Sequence, residues 1–472
     1  MKVCRAQLVK LVLPITLVAM CISSVALSGC GGKPQPTPTP TKTPTAVLAA
    51  AGAPMAQPTS QVATPTATHA ATATSTEKPP EPTATATPTP TTTAVVVEND
   101  PAFPPTETPG PSEEETIKQW QAKTAATSAP APSGGGAALP TATPAPAYTG
   151  ATAINPLTGL PVAAYKLNRR PLAVKVPNFP WEARPQSGLS LADVVIEHEA
   201  EAYLTRFTAI FYGSDANPAL GPVRSVRLVD AELVSMFRAS LVTSGGHPVV
   251  KQRVMSKSWA AGYKRVISPD EPFSDGGCTY RRPQTGKRYE LTLYTSTSCL
   301  WNVSTQRGVN QRPNFGDMWR FDESPPPGGW DATHLRIVYK PTWSITEYRY
   351  DAGSKTYKRY DVGQPTYDAL TGRQIAPPNV VILYVNHVNS DIAADTHDPN
   401  NIWYSVIHQI WGEGTGKLMR DGKVYDIRWV RENAQQPNDR LIFLDQGGNK
   451  ISLRPGATWI QLVRPDADHV ID

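Results

Sequence analysis

The stretches DVVIEHEAE, residues 193–201, and LTRFTAIFYG, residues 204–213, decide how the folded part of this chain is read. Their β-branched content marks both as strands, and LAVKV (172–176) upstream reads the same way. Helical patterns follow. RLVDAELVSMFRAS carries apolar residues at Leu228, Leu233, Val234 and Phe237, and PVVKQRVMSKSW opens with proline in its first turn. TSCLWNVSTQRG has Thr297 or Ser298 as its N-cap and Gly308 as its stop. LVTSGG reads as one more strand, ending in glycines. Together they predict an α/β or α+β domain over residues 151–322, with helices packed on a mixed sheet.

Working toward the C-terminus, ESPPPGG (323–329) is a break, and beyond it the pattern is strands and turns. YRYDAGSKTYKRY, LMRDGKVYDIRWV and IFLDQGGNKISL are hairpin-like, and Asp421-Gly422 suits a tight primed turn. With VVILYV and ATWIQLV they predict a mainly antiparallel β domain over 329–472. No internal repeat is present, and GEGTG (412–416) lacks the lysine a phosphate-cradling loop needs.

Working toward the N-terminus, residues 1–30 read as a signal peptide. Lys2, Arg5 and Lys10 precede an apolar run from Leu11 to Val25, and the segment closes on Leu27-Ser28-Gly29-Cys30, a bacterial lipobox pattern. Cys30 is therefore the expected lipidation site, anchoring the protein to the outer face of the cytoplasmic membrane. Residues 31–150 hold 23 of the chain's 48 prolines, in runs such as PTPTPTKTPT. Such a composition buries too little apolar surface to offset its ordering entropy, so a Pro/Thr/Ala-rich tether is expected. As a random coil, about 120 residues reach roughly 60 Å. One island, SEEETIKQW, has Ser112 and Glu115 at capping-box spacing ahead of Ile117 and Trp120, and reads as a transient turn in that tether.

Residues 151–472 contain 37 Lys+Arg against 32 Asp+Glu. This mild surplus suits an anionic wall polymer or lipid headgroup and is too weak to argue for nucleic acid. Beyond the signal and Cys30, Cys278 and Cys299 remain. An even pair in an exported chain reads as a disulfide. The alternative is a thiol nucleophile in GGCTYR with His247 as its base, which the flanking residues fit poorly.

INPLTGLPV, RPLAVKVPN, RPQSGLSLADVVIE, TRFTAIFY, GPVRSVR and SGGHP resemble the first domain of the YerB-like family of bacterial lipoproteins. YRYD…YKRY, GEGTGKLMRDGKVYDIRWV and RPGATWIQLV resemble its C-terminal domain. The likeness spans nearly all of 154–465. It implies a sandwich-like α/β first domain, a β-rich second one, a lipid anchor, and a place near cell-wall synthesis or sporulation. It also places Glu197, Glu201, Arg206, Arg224 and Arg227 on matching motif positions. Where relatives often carry His-Asn ahead of LYTS (293–296), this chain has Leu291 and Thr292.

Within VVIEHEAEAY, Glu197, Glu199 and Glu201 alternate, so a strand would put all three on one face and His198 on the other. Three buried carboxylates in a row would be costly, so that face is expected to meet solvent, a cleft or Arg206, Arg224 and Arg227. Arg224 and Arg227 flank Ser225 where GPVRSVRLVDAELV enters a helix, a place suited to an anion. TSGGHPVV sets Gly245, Gly246 and His247 after a strand and at a helix entry, adding His247 to the candidate face. Two readings stand: Arg–carboxylate pairs that pin loop to sheet, and a face that binds a carboxylate or phosphate. A third makes Glu197 or Glu201 the acid or base of a peptidoglycan hydrolase, alternate strand residues being about 6–7 Å apart. NHVNSDIAADTHDPNN (386–401), with Asp391, Asp395, His397 and Asp398, reads as a solvated loop without calcium spacing. Trp403 and Trp411 read as core aromatics on one strand face, although exposed tryptophans would suit stacking on sugars. The expected function is an exported binding or scaffold lipoprotein without cofactor or metal, meeting peptidoglycan or a cell-wall synthesis protein, with a peptidoglycan-modifying hydrolase as the alternative.

Overall fold

The computed structural model describes residues 150–395 and 402–472. The signal segment, Cys30, the tether up to residue 149, the 112–120 island, His397 and Asp398 lie outside the described residues.

Strands β1 (Leu172–Pro177), β2 (Val194–Glu199) and β3 (Thr205–Phe211) form the centre of the fold. β1 and β2 are buried along their whole length, which is why they read as near-continuous runs of Val, Ile, Ala and Leu. β3 lies between them and runs antiparallel to both. β4 (Ser240–Val242) joins β1 in parallel, and β5 (Val266–Ile267) joins β4 in parallel, so the sheet is mixed. The helices beside it are short: α1 (Asp230–Met236), α2 (Pro248–Met255) and α3 (Thr297–Gln306). The helical pattern over 227–240 yields only seven residues of α1, because Arg238 turns to a positive φ of 49° and Ser240 opens β4. Ser296, not Thr297 or Ser298, caps α3, its hydroxyl accepting from the Cys299 N–H at 3.4 Å. The first half is thus a mixed sheet with short helices rather than a set of long helical layers.

The second half supplies β6 (His334–Lys340), β7 (Ser344–Asp351), β8 (Thr356–Asp361), β9 (Asn379–Tyr384), β10 (His387–Asp395), β11 (Trp403–His408), β12 (Gly412–Arg420), β13 (Lys423–Glu432), β14 (Arg440–Leu444), β15 (Thr458–Val463) and β16 (His469–Ile471). Its pairings are mainly antiparallel. β7 and β8 form a hairpin with Tyr350 opposite Tyr357. β12 and β13 turn at Asp421 and Gly422, both at positive φ (54° and 73°), the geometry a primed turn demands. The expected loop at 386–401 is instead largely β10, paired with β11. Ser390 and Ile392 are buried while Asp391 between them is exposed, the local alternation of a strand. Trp403 is only partly buried and Trp411 is 45% exposed, so neither is core. Trp411 lies past the last residue of β11, where strand alternation no longer applies.

β15 departs from the antiparallel rule. All six of its residues are buried, and it runs parallel to β9 on one side and to β2 on the other, with Trp459 beside Val195. One eleven-stranded sheet therefore crosses both halves, in the order Trp330–Asp331, β13, β12, β9, β15, β2, β3, β1, β4, β5, with β14 beside β13. A five-stranded antiparallel sheet built on β6, β7, β8 and β16 packs Leu335, Ile337, Tyr348 and Tyr357 against Val174, Val195 and Phe207. α3 adds Leu300 and Trp301 to that core. The opposite face of the large sheet is covered by α1 and α2, with Trp429 and Phe443.

Candidate functional site

β1, β2, β4, β5, β9 and β15 all point the same way, so their C-terminal ends share one edge of the sheet. That edge is where open α/β sheets place ligands. Glu201 follows β2, Arg206 opens β3, and His247 follows β4. The loop holding Arg224 crosses the end of β1, its N–H donating to the Lys175 carbonyl at 3.0 Å. Val226 N–H donates to the Gly245 carbonyl, and Gly245 approaches so closely that a Cβ there would lie 2.9 Å from Ser225 Oγ.

The three carboxylates do not share a face. Glu197 and Glu199 stand opposite Phe207 and Thr205 and point into the core between the two sheets, 0% and 2% exposed. After Glu199 the chain leaves the strand. Glu201–Tyr203 is a 3-10 turn in which Ala202 and Tyr203 take φ near 59°, and this breaks the alternation. Glu201 thus lands on the other side, where Arg227 Nε donates to Oε2 at 2.8 Å and Ser405 Oγ to Oε1 at 3.3 Å. Burial works against its charge, yet Arg227 and Arg206 hold the carboxyl below its ordinary value.

Glu197 is saturated. Its Oε2 accepts from Arg359 Nη2 at 2.9 Å, and Oε1 accepts from Thr205, Asn178 and Thr346 at 2.8, 3.2 and 3.2 Å. Arg359, also 0% exposed, forks onto Asp361, and Arg184 reaches Asp361 at 3.4 Å. Two guanidiniums therefore meet two carboxylates. Burial disfavours the charge on Arg359, but Asp361 and Glu197 outweigh it; for Asp361 the balance against burial is struck by Arg184 and Arg359. Glu199 takes a two-pronged pair from Arg464 at 2.8 and 2.7 Å, although burial still pushes its carboxyl upward.

On the opposite face of β2, His198 Nε2 faces Lys175 Nζ at 2.9 Å and Nδ1 faces the Glu199 carbonyl at 3.0 Å, the pattern of a neutral ring. Lys175 also meets Asp230 at 2.8 Å and Thr208 at 2.6 Å. Burial lowers Lys175 to about 8 against the pull of Asp230, and burial with Lys175 keeps His198 far below its ordinary value. His408 lies edge-on to His198 at 5.6 Å and to His387 at 4.3 Å, and burial lowers His387 to about 4.

The arginines at the edge are not balanced in this way. Arg206 Nη1 donates to the Phe179 carbonyl, and Arg224 Nη1 to the Glu290 carbonyl at 3.3 Å. Each leaves Nε buried without a partner, and neither forms an ion pair among the described residues. Burial lowers Arg206 to about 9, with Arg227 and Arg224 adding to the fall. Burial lowers Arg224 to about 10; Glu290 opposes this, while Arg227, Arg288 and Arg281 reinforce it. Five guanidiniums, of Arg206, Arg224, Arg227, Arg281 and Arg288, thus crowd against two carboxylates, Glu201 and Glu290. Arg281 and Arg288 belong to an exposed basic segment whose base is tied to α3 by the Cys278–Cys299 disulfide, S–S 2.02 Å. That bond leaves Cys278 without the thiol a nucleophile needs. His247 caps α2 instead, its Nδ1 accepting from the Val249 N–H at 3.3 Å.

Sequence reading found Arg206, Arg224 and Arg227 but missed Arg184, Arg281, Arg288, Arg359 and Arg464. Arg359 left one signal: it alternates with Tyr357 and Asp361, putting two charges in phase with a buried aromatic. Among the described residues no group of His, Cys, Asp and Glu is arranged to hold a metal, and no helix is long and apolar enough to cross a membrane.

Residues 157–310 match the N-terminal domain, and 335–460 the C-terminal domain, of a protein family of unknown function, DUF3048. The "Putative lipoprotein YerB" of Bacillus subtilis (strain 168) is 32% identical over 317 residues, which is 66% of this chain and 86% of that protein. The crystal structure of the YerB protein from Bacillus subtilis matches with a TM-score of 0.53 at 28% identity, covering 67% of this chain and 99% of the solved one.

Proposed function

The chain belongs to this two-domain YerB-like family, and on that premise we propose that it is an exported lipoprotein that binds an anionic component of the cell envelope. Cys30 carries the lipid, residues 31–150 are the tether, and the parts at 151–322 and 329–472 form the binding unit. The lipobox pattern supports this anchoring, as does the name of the Bacillus subtilis relative.

One observation carries the binding role: Arg206 and Arg224 hold partly buried guanidiniums without carboxylate partners at the ligand edge of the sheet. Like charges gathered in a poorly solvated place raise the energy of the empty site, and an incoming carboxylate or phosphate relieves it. Each charge-assisted hydrogen bond it accepts contributes roughly 1.5–3 kcal/mol. Peptidoglycan stem peptides and phosphate-bearing wall polymers offer such groups outside the cytoplasmic membrane. A hydrolase built on Glu197 and Glu201 lacks support, since the two lie on opposite faces and each is already paired.

Sedimentation of the detergent-solubilised chain with purified cell walls tests the reading. Binding that falls steeply in Arg206→Gln plus Arg224→Gln, and with rising salt, is the expected result. Equal binding by the wild type and the double variant would overturn it.

A further inference from the structure

A line of aromatic side chains runs on from the arginine edge. The Phe179 carbonyl takes the Arg206 hydrogen bond, and the Phe179 ring lies 5.7 Å from that of Trp343 and 6.3 Å from that of Trp181. Lys340 Nζ sits 4.7 Å from the Trp343 ring centre and 5.5 Å from that of Trp403. Trp403 meets Tyr203 edge-on at 5.9 Å, and Tyr203 lies under the Arg464 guanidinium at 5.2 Å. Tyr203 is 40% exposed, and Phe179, Trp343, Lys340 and Trp403 are all partly open to solvent. At its far end the line drops into a cleft of about 140 Å³, where Glu199, Tyr339, Arg464 and Asp466 are among the lining residues.

These residues come from four separate segments, yet two close ring pairs, Phe179–Trp343 and Trp403–Tyr203, are joined through the Lys340 ammonium. A lysine ammonium stands between the two tryptophans, and lysine is depleted from the cores of protein interfaces, so the line is poorly suited to the apolar face of a protein partner. Lys340 Nζ has neither an ion pair nor a hydrogen bond among the described residues, only the two ring contacts, so its donors are available to a ligand. Rings that offer apolar faces, interleaved with free donors, fit a sugar, whose C–H face stacks while its hydroxyls accept hydrogen bonds.

We propose that the strip Phe179–Trp343–Lys340–Trp403–Tyr203 is a saccharide subsite continuous with the arginine edge, so that the ligand is an anionic glycan. The anionic half rests on the function proposed above; the saccharide half stands on the strip alone.

The two halves separate with a neutral probe. Full-length chain in detergent micelles is titrated with the tetrasaccharide of N-acetylglucosamine, followed by calorimetry and tryptophan fluorescence, and in parallel with inorganic pyrophosphate. Saturable binding of the neutral sugar is expected, about tenfold or more weaker in Trp343→Ala and Trp403→Ala, as for truncation of a central aromatic anchor. Trp403→Phe, which keeps a ring, should recover most of the affinity, and Trp411→Ala, exposed but eight residues further along, should change nothing. Lys340→Gln, which removes no packed ring, should weaken binding severalfold and serves if an alanine variant unfolds. Arg206→Gln plus Arg224→Gln should lose pyrophosphate while keeping the neutral sugar. No saturable sugar binding at millimolar concentration, or equal losses in Trp411→Ala and Trp403→Ala, would overturn the saccharide subsite and leave the anion site standing. Sugar binding without pyrophosphate binding would do the reverse.

Discussion

Two charged regions flank β2, and they have opposite characters. Behind Glu197, between the sheets, Arg359 and the partly buried Arg184 meet Glu197 and Asp361 in a charge-balanced set, with Asn178, Thr205, Thr346 and Thr366 filling further hydrogen-bond positions. At the sheet edge, five guanidiniums share two carboxylates, and three of them, of Arg206, Arg224 and Arg281, hydrogen-bond only to backbone carbonyls among the described residues. Both regions bury arginine, so burial of charge by itself says nothing about function. The balance does. A charge-matched set, in which Arg359 Nε alone of its guanidinium nitrogens lacks a partner, joins β2 and β3 to β8 and so ties the two halves of the chain together. An unmatched set keeps its mutual repulsion among the described residues.

The largest effect expected from this contrast is in the matched set. Arg359→Ala leaves the fully buried Glu197 without its cation and should cost about 3–5 kcal/mol in urea unfolding. A loss under about 1 kcal/mol would erase the distinction between the regions.

Next comes acid. His387, lowered to about 4, refuses a proton that the unfolded chain accepts near its ordinary 6.5. Stability is therefore full above about pH 6.5, declines as pH falls through this window, and is lost below about 4, by on the order of 3 kcal/mol for this ring. His198 and His408, also lowered by burial, act in the same direction. Unfolding midpoints measured from pH 7.5 down to 4 should flatten in His387→Gln.

The disulfide closes a loop spanning 21 positions, and Cys278→Ser with Cys299→Ser should lower stability by about 2–3 kcal/mol. If the basic segment acts with Arg224, the same double variant should also weaken anion binding. Smallest in stability is the change in the unmatched set. Arg206→Gln or Arg224→Gln should alter unfolding by less than about 1 kcal/mol, on the stabilising side at low salt, because each removes repulsion rather than a pair.

How far the sequence foretold this depends on range. β1, β2 and β3, the turn at Asp421-Gly422, and the pairing of Cys278 with Cys299 follow from local composition and spacing, and all are present. The union of the halves through β15 was not legible. ATWIQLV reads as any buried strand, and nothing local says that its neighbour is β2, more than 250 residues earlier. The carboxylate row failed for a different reason: alternation holds only while the chain is a strand, and Glu201 lies two residues past the end of β2. Arg224 and Arg227 were visible as basic residues near a helix entry, and Arg206 as a basic residue on the neighbouring strand. That they outnumber their partners emerges only once Arg281 and Arg288 are brought alongside and Glu197 is taken away by Arg359.

The most direct test is the unfolding free energy of Arg206→Gln plus Arg224→Gln beside the wild type, at low and constant ionic strength, with and without inorganic pyrophosphate. Without the anion the variant should be at least as stable as the wild type. With it only the wild type should gain, by RT ln(1 + [L]/Kd). A variant that loses about 2 kcal/mol or more in the absence of anion would show that these arginines hold the fold, as Arg359 does, and would contradict the account.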